Sequence, residues 1–304
     1  MNIAIIGPGA MGLFIAYALE RAGVKATLIY RERFRRLLVE KSGGPKFKVG
    51  FNTYRLSHKL SFITAEKNKS YDIVFITTKA YDFRDAITEA ARILRDAGVA
   101  ISMQNGIGLL EQSEHLIGEK RSIAAIITYG ATRIDITTSE LKGTGNIYLG
   151  QRTRETSPFL DEVRNLLNRG GLNVEIVGDI DGYRWLKVLV NAAIGPITAI
   201  FREENRVLLE NKYANQLATS VVNEGIAVVN RQGIRLPRNP MDELFNVVRL
   251  TAGNKSSMLQ DIVSGRRTEI DYINGAIVEY GRLHEVPTPI NETLIFIIKG
   301  LTGE

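Results

Sequence analysis

The segment Asn2-Ile3-Ala4-Ile5-Ile6-Gly7-Pro8-Gly9-Ala10-Met11-Gly12 decides how the rest of the chain is read. Asn2 to Ile6 is a short β-branched run, Gly7 to Gly12 is a G-x-G-x-x-G, and Met11 to Ala22 carries apolar residues at helical spacing until Gly23 stops it. Strand, tight turn and helix follow one another. In that setting the first glycine permits the turn, the second lets backbone approach a pyrophosphate, and the third lets helix and strand pack closely. The helix N-terminus adds unpaired N–H groups and a favourable dipole. Alone, the hexapeptide is equally a structural turn. Flanked by strand and helix, it predicts dinucleotide binding, with Gly7, Gly9, Ala10, Met11 and Gly12 as cofactor contacts.

Working outward, Lys25 to Tyr30 reads as a second strand and completes a βαβ unit of about thirty residues. An NAD site commonly ends that strand with Asp or Glu on the ribose 2′-OH. Tyr30-Arg31 stands there instead, and a guanidinium suits a 2′-phosphate, although Glu32 offers a carboxylate one residue on. The expected cofactor is therefore NADPH/NADP+. Asp72 to Thr77, Gly98 to Met103 and Ser122 to Thr128 are further strands, separated by helical stretches Phe83 to Arg95 and Leu109 to Leu116. Such alternation predicts a Rossmann-type α/β, doubly wound and mostly parallel sheet. Lys79 and Asn105 fall just past the carboxyl ends of strands, the edge at which open α/β sheets bind ligands.

Thr132 to Leu141 and Asn146 to Leu149 read as hairpin strands around Lys142-Gly143-Thr144-Gly145, after which the sheet is expected to end. From about Gly182 the pattern is helical: Tyr183 to Ile194, Val207 to Gln232, Pro240 to Val248, Ser256 to Ser264, Glu269 to His284 and Asn291 to Gly300. The chain thus divides into a dinucleotide-binding domain over 1–178 and an all-α domain over 179–304, with the boundary near Val177-Gly178-Asp179.

At 304 residues, with 44% hydrophobic and 24% charged, the chain suits two soluble domains of ordinary size. Zero Cys excludes disulfides, thiolate metal sites and a Cys nucleophile. The three histidines, His58, His115 and His284, lack metal-ligand spacing, so no metal is expected. The net charge of +6 comes from scattered basic residues, which suits anionic small molecules better than nucleic acid. There is no run of about 18 apolar residues, and the first apolar stretch breaks at Gly7-Pro8-Gly9 without a basic leader. A cytoplasmic protein without membrane association is the expectation.

In the helical half, Lys187 and Asn191 are four apart and share one face among Trp185, Leu186, Val188, Leu189, Val190, Ala192 and Ala193. The lysine either snorkels to solvent or sits in a partly desolvated cleft with its pKa lowered, poised to donate a proton. Ser256 and Ser257 open a short apolar helix that Gly265 can end. Thr268-Glu269-Ile270-Asp271 then resembles a capping box, placing Glu269 in a first helical turn as a dipole complement.

With these motifs in order, the chain resembles the ketopantoate reductase (2-dehydropantoate 2-reductase) family from end to end. The resemblance rests on the N-terminal GxGxxG, Thr78-Lys79-Ala80, Gln104-Asn105-Gly106-Ile107-Gly108, Trp185-Leu186-Lys187 with Asn191, and Ser256 to Ile262 leading into Thr268 to Gly275. It implies reduction of 2-dehydropantoate to (R)-pantoate with NADPH, on the route to pantothenate and coenzyme A. It further implies Lys187 as general acid, with Glu269 holding it and the substrate hydroxyl. Asn191 and Asn205 would bind substrate oxygens, Ser257 the carboxylate, Asn105 the nicotinamide and substrate side, and Arg31 the 2′-phosphate. A homodimer is compatible with that family. Two positions depart from the pattern: Gly195 where many members have Asn, and Asp82 in place of an uncharged polar residue near the cofactor phosphate.

Two rivals stand beside this reading. A β-hydroxyacid dehydrogenase also pairs a Rossmann fingerprint with Lys four residues before Asn, but the Gln104-Asn105-Gly106 loop and the Ser256 to Gly275 block speak against it. A non-catalytic NADP-sensing protein would not need Lys187, Asn191, Ser257 and Glu269 together.

Overall fold

In the computed structural model, which describes residues 1–40, 44–62, 70–153 and 155–303, the chain falls into two units. The first comprises Met1–Gln104 and Leu109–Ile180; the second comprises Asp181–Glu304 together with the short segment Asn105–Gly108. The first unit runs β1 (Ile3–Ile6), α1 (Ala10–Arg21), β2 (Thr27–Tyr30), α2 (Arg35–Glu40), β3 (Lys46–Val49), β4 (Asn52–Arg55), β5 (Lys59–Phe62), β6 (Tyr71–Ile76) and α3 (Phe83–Ile93). It continues with β7 (Leu94–Ser102), α4 (Leu109–Ile117), β8 (Ser122–Ile127), β9 (Gly130–Arg133), β10 (Thr138–Gly143), β11 (Ile147–Gly150), α5 (Phe159–Arg169) and β12 (Val174–Ile176).

Every residue of β1 is buried, as is Ile73 to Ile76 of β6, the pattern of parallel strands covered on both faces. These two strands lie side by side in an eight-stranded sheet of order β12-β11-β8-β7-β6-β1-β2-β5. All its pairings are parallel except β11 with β8. Because β2 lies on one side of β1 and β6 on the other, connections diverge at the carboxyl end of β1, where such sheets bind ligands.

A second sheet, β4-β3-β10-β9, covers the outer side of α1. Phe14 and Tyr17 of that helix meet Phe47 of β3 at ring-centroid distances of 5.7 and 5.1 Å, and Tyr17 meets Tyr54 of β4 at 5.0 Å. Sandwiched this way, α1 is buried continuously from Gly12 to Leu19.

The expected hairpin around Lys142 to Gly145 is not formed. The reversal occurs one loop earlier, where Asp135 Oδ1 accepts from the backbone N–H groups of Thr137 and Thr138 at 2.7 and 2.9 Å and turns β9 into β10. Gly145 serves close approach instead, since a Cβ there would lie 2.6 Å from Thr128 C. The segment that follows leaves the small sheet and pairs with β8 in the large one. Nor does the sheet end at β11, because β12 adds a further parallel edge strand.

The second unit is helical: α6 (Ile180–Phe201), α7 (Val207–Glu210), α8 (Lys212–Arg231), α9 (Pro240–Leu250), α10 (Ser257–Val263), α11 (Ile270–Leu283) and α12 (Pro289–Thr302). Where one helix over Val207 to Gln232 is expected, the chain breaks at Asn211, whose side chain accepts from Tyr213 N and Ala214 N and caps α8. α6 passes beyond its expected end and through Pro196. A proline there has no N–H for the carbonyl four residues back, and that carbonyl, Ala192 O, instead accepts from the buried Asn274 Nδ2 at 3.0 Å. Asn274 also donates to Asn291 Oδ1, and Glu224 of α8 accepts the first N–H groups of α12. α6 is long and apolar enough to cross a membrane by composition, but 78% of its most apolar window is buried within the protein, as in a core helix.

Candidate active site

The turn that leaves β1 is built by its glycines. Gly7 takes φ +76°, and a Cβ on it would fall 2.4 Å from Thr78 Cγ2, so no larger residue fits. At Gly12 a Cβ would lie 2.6 Å from Thr77 Oγ1 and 3.3 Å from Ile5 Cγ2, which is the helix-on-strand contact expected of the third glycine. Gly9 differs: the nearest atom to a built Cβ is Gly7 O at 3.9 Å, leaving an open face above the N-terminus of α1. That cradle fits a pyrophosphate, whose oxygens would take the unpaired first-turn N–H groups of Ala10, Met11 and Gly12.

Around the cradle, Arg31 directly follows β2, and Lys79 opens the short 3-10 turn Ala80–Asp82 after β6. Arg31 is engaged: its Nη2 lies 2.6 Å from Asp82 Oδ1. Glu32, the acid next to Arg31 in the chain, is instead held by Arg35, with Nη2 to Oε2 at 2.9 Å. That pairing and hydrogen bond hold the Glu32 carboxyl below the usual range. Gln104, part of the predicted amide loop, has a structural task. Its Nε2 donates to Ile76 O and Thr78 O at 2.7 and 3.2 Å, fastening the end of β6 to the loop after β7.

The helical unit holds the remaining predicted groups. Between Arg184 and Ala199, every residue of α6 is buried except Lys187 and Asn191, which are partly exposed. The shared face inferred from spacing is therefore the one opening in that stretch of the helix. Desolvation lowers the Lys187 pKa from the ordinary 10.5 to about 8, against the pull of the Glu269 carboxylate, which favours the charged form.

Glu269 is buried and occupies the N-cap position of α11, one residue before the expected first turn, and its side chain does not cap the helix. Instead, its Oε2 accepts from Asn105 Nδ2 at 3.3 Å. The Asn105 segment is fixed beside it by Ile107 N donating to Tyr272 O at 3.0 Å.

A pocket of about 100 Å³ is lined by Asn191, Ile194, Gly195, Ser256, Ser257, Met258 and Ile273. Ser256 is committed as the N-cap of α10: its Oγ accepts from Leu259 N at 3.1 Å and from Thr198 Oγ1 at 2.7 Å. Ser257, the next residue, is exposed at the pocket. Asn205 is not among the lining residues. Its Nδ2 donates to Thr251 Oγ1 at 2.9 Å, while its buried Oδ1 has no hydrogen-bond partner among the described residues. Met258, Ile194 and Ile273 form an apolar wall that sequence reading overlooked, because each fits an ordinary core position. Met258 Cε stands 3.3 Å from where a Cβ on Gly195 would be, so the thioether fills the room that a longer side chain at 195 would need.

Taken together, one unit offers a glycine turn open at a helix N-terminus, with Arg31 and Lys79 at the same sheet edge, and the other a desolvated lysine under the charge of a carboxylate, with Asn191 and a small pocket. The family model described as "Ketopantoate reductase PanE/ApbA" matches residues 3–154, and its C-terminal counterpart matches residues 179–302. The chain is 36% identical over 305 residues to a 2-dehydropantoate 2-reductase of Pyrococcus horikoshii, covering 98% of this chain and 97% of that one. Among solved structures, D-mandelate dehydrogenase with NADH and anilino(oxo)acetate superposes with a TM-score of 0.92 at 21% identity, covering 100% of this chain and 99% of that one. A dimeric ketopantoate reductase from Staphylococcus aureus gives 0.83 at 21%, with 100% and 99% coverage. At those identities the two structures establish the fold alone. The activity class comes from the matched family models and the full-length relative, on which grounds the chain belongs to the ketopantoate reductase family.

Proposed function

We propose that this chain reduces 2-dehydropantoate to (R)-pantoate with NADPH, on the route to pantothenate and coenzyme A in the cytoplasm. The setting of Lys187 carries the reading: a lysine with its pKa brought to about 8, on the accessible stripe of α6 with Asn191 and under the charge of Glu269. A bound reduced nicotinamide supplies the hydride. Lys187 stabilises the negative charge that develops on the keto oxygen and gives it the Nζ proton, a transfer that a donor with a pKa near neutrality performs well. Glu269 favours the protonated lysine beforehand, and Asn105 orients Glu269 through their hydrogen bond.

Asn191 and Ser257 hold the acid from the pocket wall, with the Ser257 hydroxyl on the carboxylate. Asn205 lies outside the pocket lining, and its place on a substrate oxygen rests on the family pattern. Gly7, Gly9, Ala10, Met11 and Gly12 cradle the pyrophosphate, Arg31 takes the 2′-phosphate, and Lys79 adds positive charge at the same sheet edge. A homodimer is the proposed assembly, in line with the dimeric Staphylococcus aureus relative.

One observation favours a second reading. The apolar wall of Ile194, Met258 and Ile273, with Gly195 in place of Asn, suits a 2-keto acid with an apolar branched tail as well as one bearing a hydroxyl. Following NADPH consumption over a panel of 2-keto acids separates the two. The highest kcat/KM for 2-dehydropantoate supports the first reading, and a hydroxyl-free acid outrunning it supports the second. Dinucleotide binding without turnover of any acid contradicts both and leaves a sensing protein.

A further inference from the structure

We infer that Asp82 is a cofactor-specificity residue: by occupying the Arg31 guanidinium, it narrows the advantage that a 2′-phosphate holds over a 2′-hydroxyl. This rests on the dinucleotide reading of the glycine turn given above.

The placement is set by topology. Arg31 leaves β2 and Asp82 ends the turn after β6, and these strands flank β1 on either side. An ion pair of 2.6 Å between them therefore spans the sheet edge from which the glycine turn departs. Two features make Asp82 the acid that acts on Arg31. Glu32 is drawn off by Arg35. Asp82 stands at the N-cap position of α3 without making a side-chain cap bond, so helix capping does not claim its carboxylate.

The consequence is an exchange that only one cofactor must make. A 2′-phosphate has to take Arg31 from the carboxylate or share it at a distance where two anions repel. A ribose 2′-hydroxyl is neutral and can donate to the same carboxylate, the role that an acidic residue plays in NAD-selective sites. The side chains of Arg31 and Asp82 are 31% and 27% exposed, so water screens the pair and moderates the effect without abolishing it.

The test is direct binding. Dissociation constants for NADPH and NADH are measured by nicotinamide fluorescence on wild type, Asp82→Asn and Asp82→Ser, with melting temperatures to confirm that each variant is folded. Both variants should tighten NADPH by about five- to tenfold and leave NADH unchanged or weaker, the scale of one charge-assisted hydrogen bond discounted for exposure. If both dinucleotides bind and their ratio moves by less than about twofold, the inference is overturned while the site reading stands. If neither binds the wild type saturably, both are overturned.

Discussion

Asn105 Nδ2 donates to Glu269 Oε2 at 3.3 Å, joining residues 164 apart in the sequence. Asn105 follows β7, which ends at Ser102, yet it groups with the helical unit. The loop after β7 thus reaches the carboxylate that acts on Lys187.

That relationship predicts an order of damage at position 105. Asn105→Ala removes a donor to a charged acceptor and should lower kcat/KM by about tenfold, the lower end for such bonds given the length of this one. Asn105→Asp should be worse, because a second carboxylate beside Glu269 makes one of the two hard to ionise. Steady-state kinetics of both variants check this, and an Asp variant more active than the Ala variant would be the wrong order.

Arg31 is predicted to confer preference for NADPH even with Asp82 paired to it. Arg31→Ala should cost about ten- to a hundredfold in kcat/KM with NADPH and little with NADH. A wild-type enzyme that uses NADH as well as or better than NADPH would contradict the assignment.

At Gly195 the structure changes which experiment is informative. One missing hydrogen bond, worth about 1 kcal/mol, predicts only several-fold looser discrimination among 2-keto acids than an Asn would give. Gly195→Asn alone meets Met258 and should destabilise the protein by about 1–3 kcal/mol through overpacking. Gly195→Asn with Met258→Ala should recover stability and sharpen the ranking of hydroxylated over hydroxyl-free acids. An unchanged ranking in the folded double variant removes Gly195 from specificity.

The strands of the main sheet were legible where burial makes them apolar throughout, as at Ile3 to Ile6 and Ile73 to Ile76. β4 is exposed at all four residues and carries no apolar face, while β3, Lys46-Phe47-Lys48-Val49, does alternate polar and apolar but over only four residues, the shortest run that marks a strand. The misplaced hairpin has a chemical cause: glycine at 145 answers a close approach to Thr128, whereas Asp135 supplies the actual turn. At the site, the Lys187 and Asn191 stripe was readable because helical period alone places them together. Partners set by long-range folding were not. The charge of Asp82 could be seen in the sequence but its contact with Arg31 could not, and from spacing alone Glu269 read as a dipole complement in a first helical turn, its hydrogen bond with Asn105 being set by the fold.

The pH dependence follows from Lys187. Its protonated form is the active one, so kcat/KM should hold below the folded-state pKa and fall as pH rises through about 8. Glu269 favours the charged lysine, so Glu269→Gln should move that alkaline limb to lower pH. A limb that stays in place would mean that another group sets it.

The most direct test of the mechanism is Lys187→Ala, assayed for kcat with NADPH and 2-dehydropantoate and, in parallel, for NADPH binding and melting temperature. A general acid predicts a fall in kcat of about 10²–10⁴, or about 3–5 kcal/mol of transition-state stabilisation, with cofactor affinity and fold retained. A folded variant with near-normal kcat would contradict it and reduce Lys187 to a snorkelling side chain on a core helix.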